Sequence, residues 1–283
     1  MKIIDPHIHL FDLLKGKYHW LKPQNPPFWP DKALIRHDFS QDDLALGLAG
    51  ELTGFVHLEA GFDNEQPYRE IEWLEQHVKG PFKSIAHLAL DRPLAQVEQH
   101  LVKLLEYTSV VGVRHLLDEQ AVEILSQQRV RDSLNLIAQK QLIFETQISG
   151  LDDKAVEQLT DVANRFPQLT IILSHGCFCP NNKSGVDHWQ RNIERLAQCQ
   201  NIFIKASGWE MVARDYQTDG VARVVSTLVA SFGVTRVMFA SNFPLCLFSA
   251  GYDDLWTKYQ NLGLNEQTWQ ALSFSNAQRI YRF

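Results

Sequence analysis

A single (β/α)8 barrel is the fold that the sequence predicts, and three observations predict it. Eight short apolar runs recur along the chain, their starts about 26 to 50 residues apart. The seven intervals between them carry helical patterns. The runs are nearly continuous in apolar residues rather than alternating, as expected for strands buried on both faces of a parallel sheet. A chain of 283 residues with 45% hydrophobic content can fill such a barrel, whose usual size is about 250 residues. No linker or shift of composition divides residues 1–283, so one domain is expected.

The first strand opens the chain, Met1-Lys2-Ile3-Ile4-Asp5-Pro6-His7-Ile8-His9. With a period of two, His7 and His9 share a face. An irregular stretch over 11–37 follows, with Pro23, Pro26, Pro27 and Pro30 among Tyr18, Trp20, Phe28 and Trp29. Its prolines exclude a helix, its aromatics need a surface to cover, and an ordered lid is expected. Ser40 can cap a short helix at Gln41-Asp42-Asp43. Residues 52–58 form the second strand, 66–78 a helix closed by Gly80-Pro81, and 83–90 the third strand. A helix over 94–107, a strand over 109–116, helices over 119–126 and 129–140 and a strand over 141–147 come next. A helix over 152–166 stops at Pro167. The last three strands are 169–175, 201–206 and 236–241, separated by helices that end near Gln200 and Phe232. Two C-terminal helices, about 252–262 and 267–281, finish the chain and supply a helix beyond the eight repeats.

Bulk properties exclude several classes of function. Net charge is -6, and no run of basic residues suggests nucleic acid or an anionic membrane as partner. No apolar stretch approaches the roughly 20 residues that span a bilayer. The chain opens directly into a strand bearing Asp5 and His7, so no secretory signal is expected and a cytoplasmic location is. The four cysteines, Cys177, Cys179, Cys199 and Cys246, form no C-x-x-C pair and read as free thiols. Cys177 and Cys179 follow His175, but their spacing is not that of common zinc sites.

Barrel chemistry sits at the C-terminal strand ends. Those positions carry His7 and His9, then His57 and Glu59, then His87, then Arg114 and His115. Further round come Glu145 and Gln147, His175, Lys205 and Ser207, and Ser241 and Asn242. Six of the eleven histidines lie at or near strand ends, a clustering that scatter over helices and loops would not give. Two imidazoles on one face of the first strand are a platform for a divalent metal or a polar substrate.

These residues carry a resemblance. The chain resembles the amidohydrolase superfamily, in the amidohydrolase-related branch that contains lactonases of sugar acids and of lactones from aromatic degradation. The matching stretches are Ile4-Asp5-Pro6-His7-Ile8-His9-Leu10, Tyr18-His19-Trp20-Leu21, Val56-His57-Leu58-Glu59-Ala60 and Gly112-Val113-Arg114-His115. Leu173-Ser174-His175-Gly176, Ile204-Lys205-Ala206-Ser207-Gly208, Met238-Phe239-Ala240-Ser241-Asn242-Phe243-Pro244 and Asn276-Ala277-Gln278-Arg279-Ile280-Tyr281 follow in order. The resemblance implies a hydrolase whose site is built by strands one, six and eight. It assigns His7 and His9 as the first-strand metal pair, His175 as the sixth-strand histidine and Asn242 to the position of the eighth-strand carboxylate. Many members place an aspartate there, as metal ligand and as the base that deprotonates water. Asn242 is a neutral amide that can orient water or a substrate oxygen but cannot take a proton. Strand four carries Arg114 where some relatives place a bridging lysine, so a carbamate-bridged two-metal centre is not expected. A single weakly held divalent ion, zinc or manganese, or none, fits the residues present.

The expected reaction is opening of a lactone of a sugar acid or small organic acid by water. His175 and His115 are the base candidates with Asn242 beside them, and Glu59 is a further one. Arg114, Lys205, His57, Glu59 and Trp20 are candidates for holding the substrate. Arg114 could instead pair with a carboxylate such as Glu145 between strands, and Lys205 could form a salt bridge inside the barrel mouth. The lid aromatics could pack on the barrel rim rather than on substrate. The alternatives are a metal-dependent decarboxylase of the same superfamily, or a ligand-binding homologue impaired in catalysis. A small-molecule substrate and a homodimer are the expected partners.

Overall fold

The computed structural model describes residues 1–47 and 49–283. Eight parallel strands hydrogen-bond in sequence order. They are β1 (Lys2–Ile8), β2 (Glu51–Leu58), β3 (Phe82–His87), β4 (Val110–Arg114), β5 (Ile143–Thr146), β6 (Ile171–Leu173), β7 (Ile202–Ala206) and β8 (Val237–Phe239). The seam between first and last strand is drawn together by the His9 amide, which donates to the Phe243 carbonyl at 2.7 Å, beside a parallel bridge between Ile8 and Phe243. This is the (β/α)8 barrel that the apolar runs predict.

The helices are α1 (Tyr68–His77), α2 (Leu94–Leu104), α3 (Ala121–Ser126), α4 (Gln128–Gln139), α5 (Asp153–Arg165), α6 (Lys183–Ala197), α7 (Trp209–Val212), α8 (Thr218–Phe232), α9 (Tyr252–Gln260), α10 (Glu266–Gln270) and α11 (Asn276–Tyr281). Each long one buries an apolar stripe. On α5 the buried residues are Ala155, Val156, Leu159, Val162 and Ala163, and the Asp152 side chain caps the helix by accepting from the amides of Lys154 and Ala155. Ser40 and Asp43 form a reciprocal cap on the short 3-10 turn Gln41–Asp43, as expected.

Three details differ from the expectations drawn from sequence. The strands stop short of their apolar runs: β6 ends at Leu173 because His175, Gly176, Cys177 and Phe178 all take positive φ and turn the chain. The four-residue α7 was not expected. The last helix is interrupted by a π turn over Ala271–Ser275, where the Ser273 hydroxyl donates to the Trp269 carbonyl at 2.7 Å.

The C-terminal segment closes the bottom of the barrel. Ala277, Ile280 and Tyr281 pack among Ile4, Val56, Ile85, Val111, Ile143, Ile172 and Met238 in its interior. Gly54 leaves room for this plug, since a β-carbon there would lie 2.8 Å from the Phe283 ring. At the opposite end lies the aromatic loop, ordered as the sequence suggests, with Tyr18, Leu21 and Ile35 buried. Among the described residues no helix is long and apolar enough to cross a membrane.

Candidate active site

The C-terminal mouth of the barrel gathers three imidazoles. A register shift between Asp5 and Ile8 bulges β1, and the buried Asp5 carboxylate holds the bulge. Asp5 accepts from the amides of His7 and Ser241, each at 3.1 Å, and from the Tyr252 hydroxyl at 3.0 Å. Burial raises its pKa to about 6 against these hydrogen bonds. So held, His7 and His9 converge, with their Nε2 atoms 3.2 Å apart. The His7 ring lies 4.6 Å, centroid to centroid, from that of His175.

Tautomers follow from the partners. His9 Nδ1 is 2.9 Å from the Leu58 carbonyl, which can only accept, so Nδ1 carries the proton and Nε2 keeps its lone pair. His175 Nδ1 is 3.1 Å from the Ser207 hydroxyl. Gly208, at φ 71°, packs its backbone against that ring; a β-carbon would lie 2.5 Å from His175 Cγ, so glycine sets the ring's seat. Burial holds all three histidines well below their usual pKa. The nearby charge of Arg114 adds to this for all three and that of Lys205 for His7 and His175, and the rings are neutral at pH 7.

Two imidazole nitrogens each about 2.0 Å from a tetrahedral zinc lie about 3.3 Å apart, close to the spacing of the His7 and His9 Nε2 atoms. Neutral rings also suit a ligating pair, whereas His7 Nδ1 is buried without the acceptor that usually fixes a ligating imidazole. Against strong binding, no group of three or more His, Cys, Asp or Glu side chains among the described residues could hold a metal. The residues therefore fit a divalent ion as a two-histidine platform lacking an anionic ligand. Cys177 and Cys179 stay protonated, their pKa values pushed by burial to about 12 and about 11.

Arg114 and Glu59 complete the buried charge of the mouth. They lie 3.6 Å apart, and Arg114 Nη2 also donates to Gln147 Oε1 at 3.0 Å. Arg114 Nε is buried with no partner. Burial raises the Glu59 pKa to about 7, while Arg114 pulls the other way. Asn242, at φ 62°, donates from Nδ2 to Glu210 Oε1 at 2.5 Å. Glu210 is 1% exposed, and burial raises its pKa to about 7.

Other candidates are placed differently. His115 is half-buried and its Nδ1 accepts from the Leu90 amide at 3.2 Å, away from the three clustered rings. Adjacent strand residues face opposite ways, and Arg114 takes the inward position. His57 has both nitrogens committed, Nδ1 accepting from the Leu10 amide at 3.3 Å and Nε2 donating to Glu70 Oε1 at 3.1 Å. Lys205 is fully buried, donating to Glu145 Oε2 and to the Pro6 carbonyl, each at 2.6 Å, while the Tyr281 hydroxyl donates to Glu145 Oε1 at 2.5 Å. An ion pair inside the barrel is the alternative expected for Lys205, while Glu145, suggested as a partner of Arg114, pairs with Lys205 instead and Arg114 faces Glu59. Trp20 donates to the Ala60 carbonyl at 2.7 Å and packs edge-on with Phe11 and Trp29.

The loop bearing Trp20 and Trp29 runs from the end of β2, where Trp20 meets Ala60, to the segments after β7 and β8, where Trp29 packs on Phe248. Arg214 pairs with both oxygens of Asp31, at 2.7 and 3.2 Å, and lies 4.0 Å over the Phe248 ring. Lys32 pins the loop internally, its ammonium donating to the carbonyls of Trp20, Lys22 and Asn25. A cavity of about 480 Å³ borders His175 and Ser207 and runs outward between α6 and α8, walled by Trp189, Trp209, Val212 and Tyr216.

Sequence reasoning missed Asp5, Glu70 and Glu210 as partners of the site. Glu70 had a signal, since it shares the buried stripe of α1 with Ile71 and Leu74. Glu210 had none beyond lying on a loop of the catalytic face.

Comparison with known proteins agrees with this architecture. The sequence model of the amidohydrolase family matches residues 4–283. An uncharacterized protein, y4mH, of Sinorhizobium fredii is 28% identical over 296 residues, covering 99% of this chain and 98% of that protein. An L-rhamnono-gamma-lactonase of Scheffersomyces stipitis is 24% identical, covering 99% of this chain and 98% of that protein. A Burkholderia multivorans amidohydrolase, solved with bound HEPES, superposes with a TM-score of 0.83 at 17% identity over 100% of both chains. The same protein solved with bound zinc gives 0.82 at 18%, again over 100% of both chains. The chain therefore belongs to the amidohydrolase family.

Proposed function

We propose that the protein opens the ring of a small lactone, of a sugar acid or small organic acid, by attack of water at the histidine cluster. The observation that carries this reading is the meeting of three neutral, desolvated imidazoles, His7, His9 and His175, in the barrel mouth that also holds Arg114 with its buried, unpartnered Nε. The relative named as an L-rhamnono-gamma-lactonase supports the substrate class.

In this mechanism the substrate enters from the cavity beside His175 and places its ester carbonyl against that ring. His175, neutral and tied through Nδ1 to Ser207, takes the proton from the attacking water on Nε2. The unused Arg114 donor binds the developing oxyanion or a substrate carboxylate. Glu59, with a pKa near neutrality, starts protonated and gives its proton to the departing ring oxygen. The product carboxylic acid gives up its own proton to restore Glu59, and His175 releases to solvent the proton taken from water. His7 and His9 would hold one divalent ion, zinc or manganese; when bound, it supplies Lewis-acid polarisation of the carbonyl. The lid with Trp20 and Trp29 excludes water from the mouth.

The test is metal analysis of protein purified without added metal, followed by a broad lactone panel with and without Zn²⁺ or Mn²⁺. Ring opening of at least one lactone is expected. No opening under any condition overturns the reading. CO₂ release from aromatic carboxylates in its place would identify a decarboxylase, and thermal stabilisation without turnover a binding protein.

A further inference from the structure

We infer that Glu210 is the positioning residue for Asn242, the two forming an acid–amide pair that works as one unit at the end of β8. The inference rests on the proposed function only in taking the strand-eight end as part of the reaction site. Glu210 lies on α7, directly after β7, and is buried. Its Oε1 is 2.5 Å from Asn242 Nδ2.

Above about pH 7 Glu210 is ionised and can only accept, so there this contact fixes which end of the Asn242 amide is which. The NH₂ faces Glu210. Oδ1, which takes no hydrogen bond from the described residues, is left as a neutral acceptor at the mouth. Asn242 is itself held in a left-handed turn, its carbonyl accepting from the amides of Leu245 and Cys246, so the side chain has little freedom apart from the amide flip. A carboxylate is thus present next to the strand-eight position after all, displaced by one side chain and turned to orient an amide. The charged and titratable groups around Glu210 are Arg214 and Tyr216 on its own loop, Cys246 after β8 and Tyr259 on α9.

This pairing makes an unusual demand on mutants. Asn242→Asp, the change that would restore the carboxylate common in the family, places two carboxyl groups at a 2.5 Å contact, where both cannot be charged. Glu210→Gln lets the Asn242 amide turn. The double variant Asn242→Asp/Glu210→Gln restores the contact with reversed polarity, the amide at 210 donating to the carboxylate at 242.

The experiment compares thermal midpoints of wild type and the three variants at pH 5 and pH 8, with kcat and KM on whichever lactone the wild type opens. Asn242→Asp is expected to melt at least about 4 °C lower than wild type at pH 8 and closer to it at pH 5, with the double variant back within about 2 °C at both. Glu210→Gln is expected to lower kcat about tenfold with KM changed less than about twofold, the split expected when a reacting group is misoriented while substrate binding is intact. If Asn242→Asp melts with the wild type at pH 8, or the double variant melts no higher than the worse single one, the pair is not a unit. If kcat is unchanged in Glu210→Gln, Glu210 does not position Asn242 for turnover. If the wild type opens no lactone, the proposed function fails, while the coupling of the melting points still decides whether Glu210 holds Asn242.

Discussion

Replacing Lys205 with methionine tests whether the strongest buried charge in the barrel holds the fold or binds substrate. Lys205 and Glu145 are both inaccessible to solvent, their charged atoms 2.6 Å apart, and Lys205 also satisfies the Pro6 carbonyl. Lys205→Met keeps the length of the side chain but leaves Glu145 with only the Tyr281 hydroxyl and strips Pro6 of its donor. Breaking one side of a buried, hydrogen-bonded ion pair costs about 3–5 kcal/mol. An unfolding entropy of about 2.1 cal/mol/K per residue over 283 residues gives about 0.6 kcal/mol/K, so the melting point should fall by about 7 °C. Adding Glu145→Gln removes the stranded charge and should recover at least half of the loss. Circular dichroism melts at one protein concentration read both effects, with KM measured alongside. A Lys205→Met protein that melts within 1 °C of wild type while KM rises more than about tenfold would refute this account and return Lys205 to the substrate.

Three further outcomes are expected. Glu59 has a pKa of 4.5 when unperturbed and about 7 in the folded chain, so its favourable contribution is present below pH 4.5 and lost as pH rises through 7. Urea denaturation should accordingly find Glu59→Gln more stable relative to wild type at pH 8.5 than at pH 4.5, by about 3 kcal/mol, and an equal difference at both would contradict the raised pKa. Glu70→Leu orphans two buried donors, His57 Nε2–H and the Ala60 amide, and should cost about 2–5 kcal/mol of stability in the same assay; a loss under 1 kcal/mol would show that His57 finds another partner. Arg214→Ala cuts the clasp on Asp31, a partly exposed pair worth under about 1 kcal/mol, so the melting point should barely move while limited proteolysis within 12–39 accelerates. Unchanged cleavage would mean that the Trp20 bond to Ala60 and the packing of Trp29 on Phe248 fasten the loop without Arg214.

Much of the scaffold was legible because its signals are periodic. Apolar runs spaced by helical patterns gave the barrel, and alternation along β1 put His7 and His9 on one face, where the structure brings their Nε2 atoms together. The same alternation separates Arg114 from His115, so the two cannot both face the barrel interior. Lys205 and Glu145 illustrate a different limit. They sit on β7 and β5, which are not hydrogen-bonded neighbours, so their meeting across the interior depends on barrel closure and on no spacing along the chain. His57 reads as a mouth residue until Glu70 arrives from α1 to occupy it. Glu210 follows β7 in a helix too short to show a period, and only the folded chain reveals that the carboxylate absent at 242 has a counterpart beside it.

The most direct test of the central claim is a pH-stat measurement of lactone opening by wild type and His175→Gln, with metal content determined on the same samples. Water activation by His175 predicts that kcat/KM falls about 10²- to 10⁴-fold in the variant while its metal content and melting point stay near those of wild type. Equal turnover by the two proteins on a lactone that the wild type opens would contradict it.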